Sequence, residues 1–400
     1  MGMRDRLTGL ALRRVHVLVV EVPGWWSTRV EAQQQLSARG WREASSPADA
    51  DVLLVCGLAG DQLDAAVQRV WEQLPGPRAR CLAESPTDVE DALQRAAAAL
   101  ADRDAQQHDA RDRDLDPGRP DGGPEDQEED TGSHQDMAGE SRDRADMADM
   151  TDGDMDHDDM DHDDMDEDSH DMAGMDHGDM DHGDMEMAPA GIPLAGGGED
   201  RDGLEMDVLQ VPLGPVLPCW PAGLVLHCSL QGDVVVAADV EVLTAGTTAP
   251  DADLSRRAVA ARLCDQAGQV LELSGWGAAA RRSARVRDAL LGGVDATACA
   301  AALRRLRGLV EGSRLLRWSL RDLGPAGGDV HGRLLQLLRS AGDLLQDAPD
   351  PVRGPAGWTG TDPQELPRLV TGLDLAAVRL VVASCAPDTA RLVTAGVEGG

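Results

Sequence analysis

The chain has 400 residues, enough for two or three ordinary domains, and a formal net charge of −35 at pH 7. The charge is concentrated, because residues 101–190 hold 34 acidic residues and six arginines and the remainder has a net charge of −7. This remainder lacks the basic excess that nucleic-acid binding requires, so we expect no nucleic-acid partner. No stretch reaches the ~18 apolar residues of a spanning helix, and no apolar signal-peptide core opens the chain. We therefore expect a cytoplasmic protein without a direct membrane span.

The seven cysteines are scattered, without Cys-x-x-Cys pairs, and most lie in apolar runs such as 52–56. This pattern favours buried, reduced thiols over a disulfide framework.

Residues 1–101 predict a small three-layer α/β domain. Apolar, β-branched runs at 15–22 and 51–56 are typical of buried parallel strands, and 80–83 is a weaker third strand. Helical patterns at 27–39, 62–73 and 87–101 alternate with these strands. Alternating strands and helices over about a hundred residues indicate a sheet covered by helices on both faces.

Residues 102–200 predict a disordered acidic linker, since methionine is almost its only large apolar residue. Eleven of the 14 methionines fall between 137 and 187, and this stretch contains a five-residue repeat, DMDHD at 154–158 and 159–163, DMDED at 164–168 and DMDHG at 179–183. Thioether and imidazole ligands together favour copper. The candidate metal ligands are Met155, His157, Met160, His162, Met175, His177, Met180 and His182. The alternative is an acidic spacer expanded by repeat slippage.

Residues 201–400 predict an α+β domain that is mostly helical and opens with a β-hairpin. The hairpin covers 211–230 and 233–243, with its turn at 231–233. Helical patterns follow at 254–274, 278–291, 298–321 and 330–346, and 375–383 is a final apolar segment.

The first domain contains two characteristic segments, ADVLLVCG at 50–57 and VWEQLPGPR at 70–78. In these segments it resembles the small, cluster-bearing subunit shared by nickel–iron hydrogenases and respiratory complex I. The family places cysteine ligands of a [4Fe–4S] cluster after its first strand, where this chain has Trp25 and Thr28. A third family cysteine corresponds to Ser85-Pro86, so we expect no iron–sulfur cluster.

The second domain contains three characteristic segments, at 211–242, 276–291 and 365–391. In these segments it resembles the large subunit of the same assemblies, which builds the quinone pocket in complex I. Here too functional residues are missing: Leu217 stands where the family has a hairpin histidine, and an APDTA run at 386–390 replaces the terminal metal cysteines. His227 and His331, the domain's two histidines, are interpreted as structural, and no catalytic residues are assigned.

The resemblance implies a fused NADH–quinone oxidoreductase or hydrogenase-like peripheral subunit that has lost its redox ligands, a pseudoenzyme. We expect it to be a structural or regulatory part of a complex I-like or antiporter-like membrane assembly. It would then lie at the inner face of the cell membrane through its partners. A metal-binding protein acting through the linker is the alternative, and an enzyme that uses quinone without a cluster ranks last. We further expect the two folded domains to pack together, with Trp25 and Trp26 either at their interface or folded over their own sheet.

Overall fold

The computed structural model describes residues 14–114, 196–199, 205–247, 254–323, 329–346 and 360–390. The N-terminal region contains a parallel sheet with strand order β2-β1-β3-β4. Its strands are β1 (His16–Glu21), β2 (Arg42–Glu43), β3 (Val52–Cys56) and β4 (Ala79–Ala83). Every residue of β3 is buried, as expected for a continuous apolar run in the middle of a parallel sheet. The short edge strand β2 is an addition to the predicted three.

Helices cover both faces of this sheet, as predicted. They are α1 (Trp26–Arg39), α2 (Asp61–Gln73), α3 (Val89–Ala101) and α4 (Arg103–Asp114). Apolar side chains of α1 and α3 form one hydrophobic cluster with one face of the sheet, and those of α2 form another with the opposite face. The N-terminal region is therefore a three-layer α/β unit.

Helix α4 lies beyond the predicted end of the first domain at residue 101. Arg78 holds it in place: its Nη2 donates to Asp109 Oδ1 over 2.9 Å and its guanidinium stacks on Trp71 at 4.2 Å. The amide of Gln106 also exchanges hydrogen bonds of 2.9 Å with the Arg78 backbone. Helix α4 thus lies beyond residue 102, where the sequence predicts the linker to begin, and polar contacts hold it in place.

The C-terminal region opens with an antiparallel sheet of order β5-β6-β7-β8. Its strands are β5 (Gly196–Glu199), β6 (Glu205–Leu213), β7 (Leu224–Gln231) and β8 (Val234–Val242). The β7–β8 hairpin turns at Gly232, as predicted, with a left-handed φ of 61°. The predicted long arm at 211–230 is instead two strands, because three prolines in the 214–223 loop cannot donate to a strand ladder.

Helices make up most of the rest. They are α5 (Arg256–Leu273), α6 (Gly277–Leu291), α7 (Ala296–Gly312), α8 (Arg314–Leu320), α9 (Val330–Gln346), α10 (Leu366–Val370) and α11 (Leu375–Cys385). The predicted helix at 298–321 is divided at Ser313, whose hydroxyl accepts from the Leu316 amide and starts a new helix. No helix within the described ranges combines the length and the apolar character needed to span a lipid bilayer.

The two folded regions pack against each other, as expected. Trp26 and Val30 of α1 belong to the main hydrophobic cluster of the C-terminal helices. In return, Val225 and Leu243 of the C-terminal sheet pack with the α2 face of the N-terminal region. Each of these two hydrophobic clusters therefore contains residues from both regions.

Candidate functional site

The candidate site lies where helix α1 meets α5 and α6. Each of these helices brings a charged residue into the contact: Arg29 from α1, Asp265 from α5 and Arg287 from α6. Their exposed fractions are 8%, 5% and 4%, respectively. Glu21, the last residue of β1, joins them from the carboxyl end of the parallel sheet. We call these four residues the interface ion network.

Asp265 is the centre of the network. Its Oδ1 accepts from Arg287 Nη1 over 2.6 Å, and its Oδ2 accepts from Arg29 Nη2. The second nitrogen donor on Arg29, Nε, donates to Glu21 Oε2 over 2.5 Å. Gln269, one turn along α5, adds a weaker hydrogen bond to Asp265 Oδ2 over 3.3 Å. Both guanidinium groups therefore have carboxylate partners, as buried charges require.

Burial and charge act in opposite directions on the pKa values of these groups. Burial alone would raise the pKa of Asp265, but attraction from Arg29 and Arg287 outweighs it, so the pKa lies well below the usual range. Burial would likewise lower the pKa of Arg29, but Asp265 and Glu21 raise it. Glu21 differs, since burial raises its pKa more than the single hydrogen-bonded arginine lowers it. Asp265 is thus the permanently charged centre, and Glu21 is the carboxyl of the network that is easiest to protonate.

The two tryptophans at the start of α1 have different surroundings. The indole Nε1 of Trp26 donates to Asp265 Oδ2 over 3.1 Å, which places this side chain in the interface. Trp25 packs with the α2 face of its own sheet, and its Nε1 donates to the Glu84 carbonyl over 2.9 Å. A Cβ on Gly57 would lie 2.5 Å from the Trp25 ring. Trp26 therefore lies at the interface and Trp25 is folded over its own sheet, so each of the two predicted alternatives holds for one tryptophan.

The residues at the positions that the resemblance assigns to cluster ligands do not fit an iron–sulfur cluster. Trp25 and Thr28 are buried and offer no thiolate, and the Ser85 hydroxyl donates to Asp88 Oδ2 over 2.6 Å. Cys56 and Cys81 lie on β3 and β4 inside the sheet. Burial raises the pKa of Cys81 to about 12 and raises that of Cys56 further, so both thiols stay protonated.

A cleft of about 450 Å³ opens beside the ion network, between the N-terminal region and the 214–223 loop. Polar side chains from both regions line it, among them Gln33, Glu272 and Arg281. Leu217, at the position of the family's histidine, lies on its wall and packs against the main core. The cleft combines apolar loop residues with charges of both signs.

The other candidate residues of the C-terminal region have structural surroundings. His227 lies on β7 and its Nε2 is 3.0 Å from Glu241 Oε2 on β8, an exposed cross-strand pair. His331 is 5% exposed within α9. At the terminal motif, Cys385 ends α11, and burial raises the pKa of its thiol. These contacts give no arrangement of a nucleophile with a base.

The predicted metal ligands of the linker, from Met155 to His182, lie outside the described residues. Within the described residues, no group of three or more histidine, cysteine or acidic side chains could hold a metal ion.

The four residues of the interface ion network are not among the site residues predicted from the sequence. Asp265 and Arg287 occupy buried positions on α5 and α6, between apolar residues such as Cys264 and Val286. A charged residue on the apolar face of a predicted helix is a signal for a buried pair, but the partners of Asp265 are 22 and 236 residues away.

Comparison with protein-family models, with curated proteins and with solved structures finds no match to this chain.

Proposed function

We propose that this chain is a redox-inactive peripheral subunit of a complex I-like or antiporter-like membrane assembly, with a structural or regulatory role. The observation that carries the proposal is the contact between α1 and α5. In the family that the sequence resembles, an iron–sulfur cluster follows the first strand and faces the large subunit. In this chain the corresponding segment supplies Trp26 and Arg29, and both bind Asp265 of the C-terminal region.

This substitution replaces an electron-transfer contact with a packing contact. An indole and two guanidinium groups around one carboxylate hold two regions together but accept no electron. Cys56 and Cys81 of the N-terminal sheet are protonated core residues, so they offer no alternative cluster ligands. A subunit with these properties would have a structural or regulatory role. Electron transfer would take place in other subunits of the assembly.

Affinity purification from the native host tests the proposal. The chromosomally tagged chain is isolated from membranes in mild detergent, and its partners are identified by mass spectrometry. Antiporter-like or complex I-like membrane subunits should copurify, and a tagged soluble enzyme of similar abundance serves as the control. Recovery of the chain from the soluble fraction without such subunits would contradict the proposed assembly.

The repeat in the linker supports a second proposal, that residues 147–187 bind copper. Methionine and histidine recur every five residues among aspartates, which raise the local concentration of cations. Titration calorimetry of the isolated segment with Cu(I) and Cu(II) tests this. The matched control replaces every methionine with leucine and every histidine with glutamine. Equal heats for the segment and its control would identify the linker as a spacer.

A further inference from the structure

The surface formed by α6, α7 and α8 exposes an unusual number of apolar side chains. Five of the eight exposed large hydrophobic residues within the described ranges lie between 291 and 318. On α8, Leu315 and Trp318 are 73% and 66% exposed, the two highest fractions among them. Their spacing of three residues places both on one side of the helix. Leu309, 43% exposed, lies just before them near the end of α7.

Arginines surround these apolar residues. Residues 281–321 contain ten arginines and three acidic residues, a net charge of +7 within a chain whose total is −35. The exposed arginines of this surface are Arg282, Arg285, Arg304, Arg305, Arg314, Arg317 and Arg321. Within the described residues, the ion pairs that involve α7 and α8 join only Arg307 to Glu311 and Arg321 to Asp322. The net charge of −7 for all residues outside 101–190 conceals this basic surface.

An apolar groove of about 510 Å³ runs between α6 and α7 on this surface. Val286, Ala302 and Leu306 are among the apolar residues that line it, and Arg285 and Arg305 border it. The groove therefore combines an apolar interior with a positively charged rim.

We propose that the α6–α8 surface binds anionic phospholipid membranes directly. Aliphatic side chains, an exposed tryptophan and arginines together match the boundary between acyl chains and phosphate headgroups. Nucleic acid would give Leu309 and Leu315 no apolar environment, although it would pair with the arginines. An acidic polypeptide would pair with the arginines, and poly-aspartate is therefore one of the alternatives in the test below. A lipid surface satisfies both features.

The negative total charge does not prevent this contact. Counterions screen charges over about 10 Å at ordinary ionic strength, so the nearest charges decide what a surface attracts. The contact needs no protein partner, and it is therefore independent of the assembly proposed above.

Vesicle cosedimentation of the full-length protein tests this inference. Vesicles of phosphatidylcholine mixed with phosphatidylglycerol are compared with vesicles of pure phosphatidylcholine. The charge variant combines Arg304→Gln, Arg305→Gln and Arg314→Gln, and the apolar variant combines Leu315→Ser and Trp318→Ser. The matched control combines Arg42→Gln, Arg69→Gln and Arg111→Gln, which removes the same charge from exposed positions of the N-terminal region.

The wild-type protein and the control should bind the anionic vesicles and not the neutral ones. The charge variant should bind about a hundredfold more weakly, because each basic residue near an anionic surface contributes about fivefold. The apolar variant should lose about tenfold. Equal binding to both vesicles, or equal weakening of the control and the charge variant, would overturn the proposal. So would binding of poly-aspartate, duplex DNA or inorganic phosphate through these arginines without vesicle binding.

Discussion

Trp26 and Asp265 are joined by a hydrogen bond of 3.1 Å between residues that are 239 positions apart in the chain. The bond connects the first turn of α1 with the middle of α5, across the interface of the two folded regions. The same carboxylate binds Arg29 and Arg287, so three donors from two helices converge on one buried acceptor residue. Asp265 is therefore the residue on which the interface depends most.

Replacement of this carboxylate should destabilise the protein strongly. Asp265→Asn keeps the size of the side chain but leaves two buried arginines without their shared counter-charge. We expect a loss of about 3–5 kcal/mol in the free energy of unfolding, measured by urea denaturation. Asp288→Asn is the control, because Asp288 binds Arg287 at the partly exposed rim, where about 1 kcal/mol is expected. A similar loss in both variants would show that the network does not depend on its buried centre.

The contribution of Glu21 to stability should fall as the pH rises. Its pKa in the folded protein is raised above the ordinary 4.5, so the folded state retains a proton that the unfolded chain releases. The contribution of Glu21 to stability is therefore present below pH 4.5 and is lost as the pH rises through the folded pKa. Wild-type stability relative to Glu21→Gln should fall over this window in urea denaturation series. A stability difference between the wild type and Glu21→Gln that stays constant over this window would contradict the assignment.

The local elements of both regions were largely predictable from sequence, whereas the interface was not. Local patterns determine β3, buried throughout, and the turn at Gly232. Arg78 and Asp109, which order α4, are 31 residues apart, and nothing in a local window pairs them. The network is even less local. Its residues cannot be told from exposed charges of helices and strands in the sequence. Their burial follows only when the two regions are brought together, because burial depends on the tertiary fold.

The interface should persist without a covalent connection. A protease site inserted within 117–186 allows the purified full-length protein to be cut into its two folded regions. We expect the pieces to coelute in size-exclusion chromatography, and Trp26→Ala to separate them, because it removes an anchor shared with the C-terminal core. Trp41→Ala is the control: Trp41 belongs to the hydrophobic cluster of α1, α3 and the N-terminal sheet, so the pieces should stay together. Circular dichroism verifies that each variant is folded. Separation of the unmodified pieces would disprove a stable interface.

Gly57 should be intolerant of any side chain. It has a left-handed φ of 108°, and an added Cβ would lie 2.5 Å from the Trp25 ring. Gly57→Ala should therefore cost about 3 kcal/mol or more, from backbone strain combined with overpacking. Gly40→Ala isolates the strain, since Gly40 has a φ of 74° and no atom within 4 Å of the added Cβ. It should cost only about 1–2 kcal/mol in thermal or urea unfolding. Equal losses would show that the Trp25 ring moves to make room for the new methyl group, and they would contradict the prediction.

The most direct test of a redox-inactive subunit is the iron and acid-labile sulfide content of the full-length protein after anaerobic purification. With Trp25 and Thr28 at two of the positions that the family uses for cluster ligands, we predict neither element in stoichiometric amount and no visible cluster absorbance. About four iron atoms and four sulfides per chain, with the broad visible absorbance of a [4Fe–4S] cluster, would contradict the account.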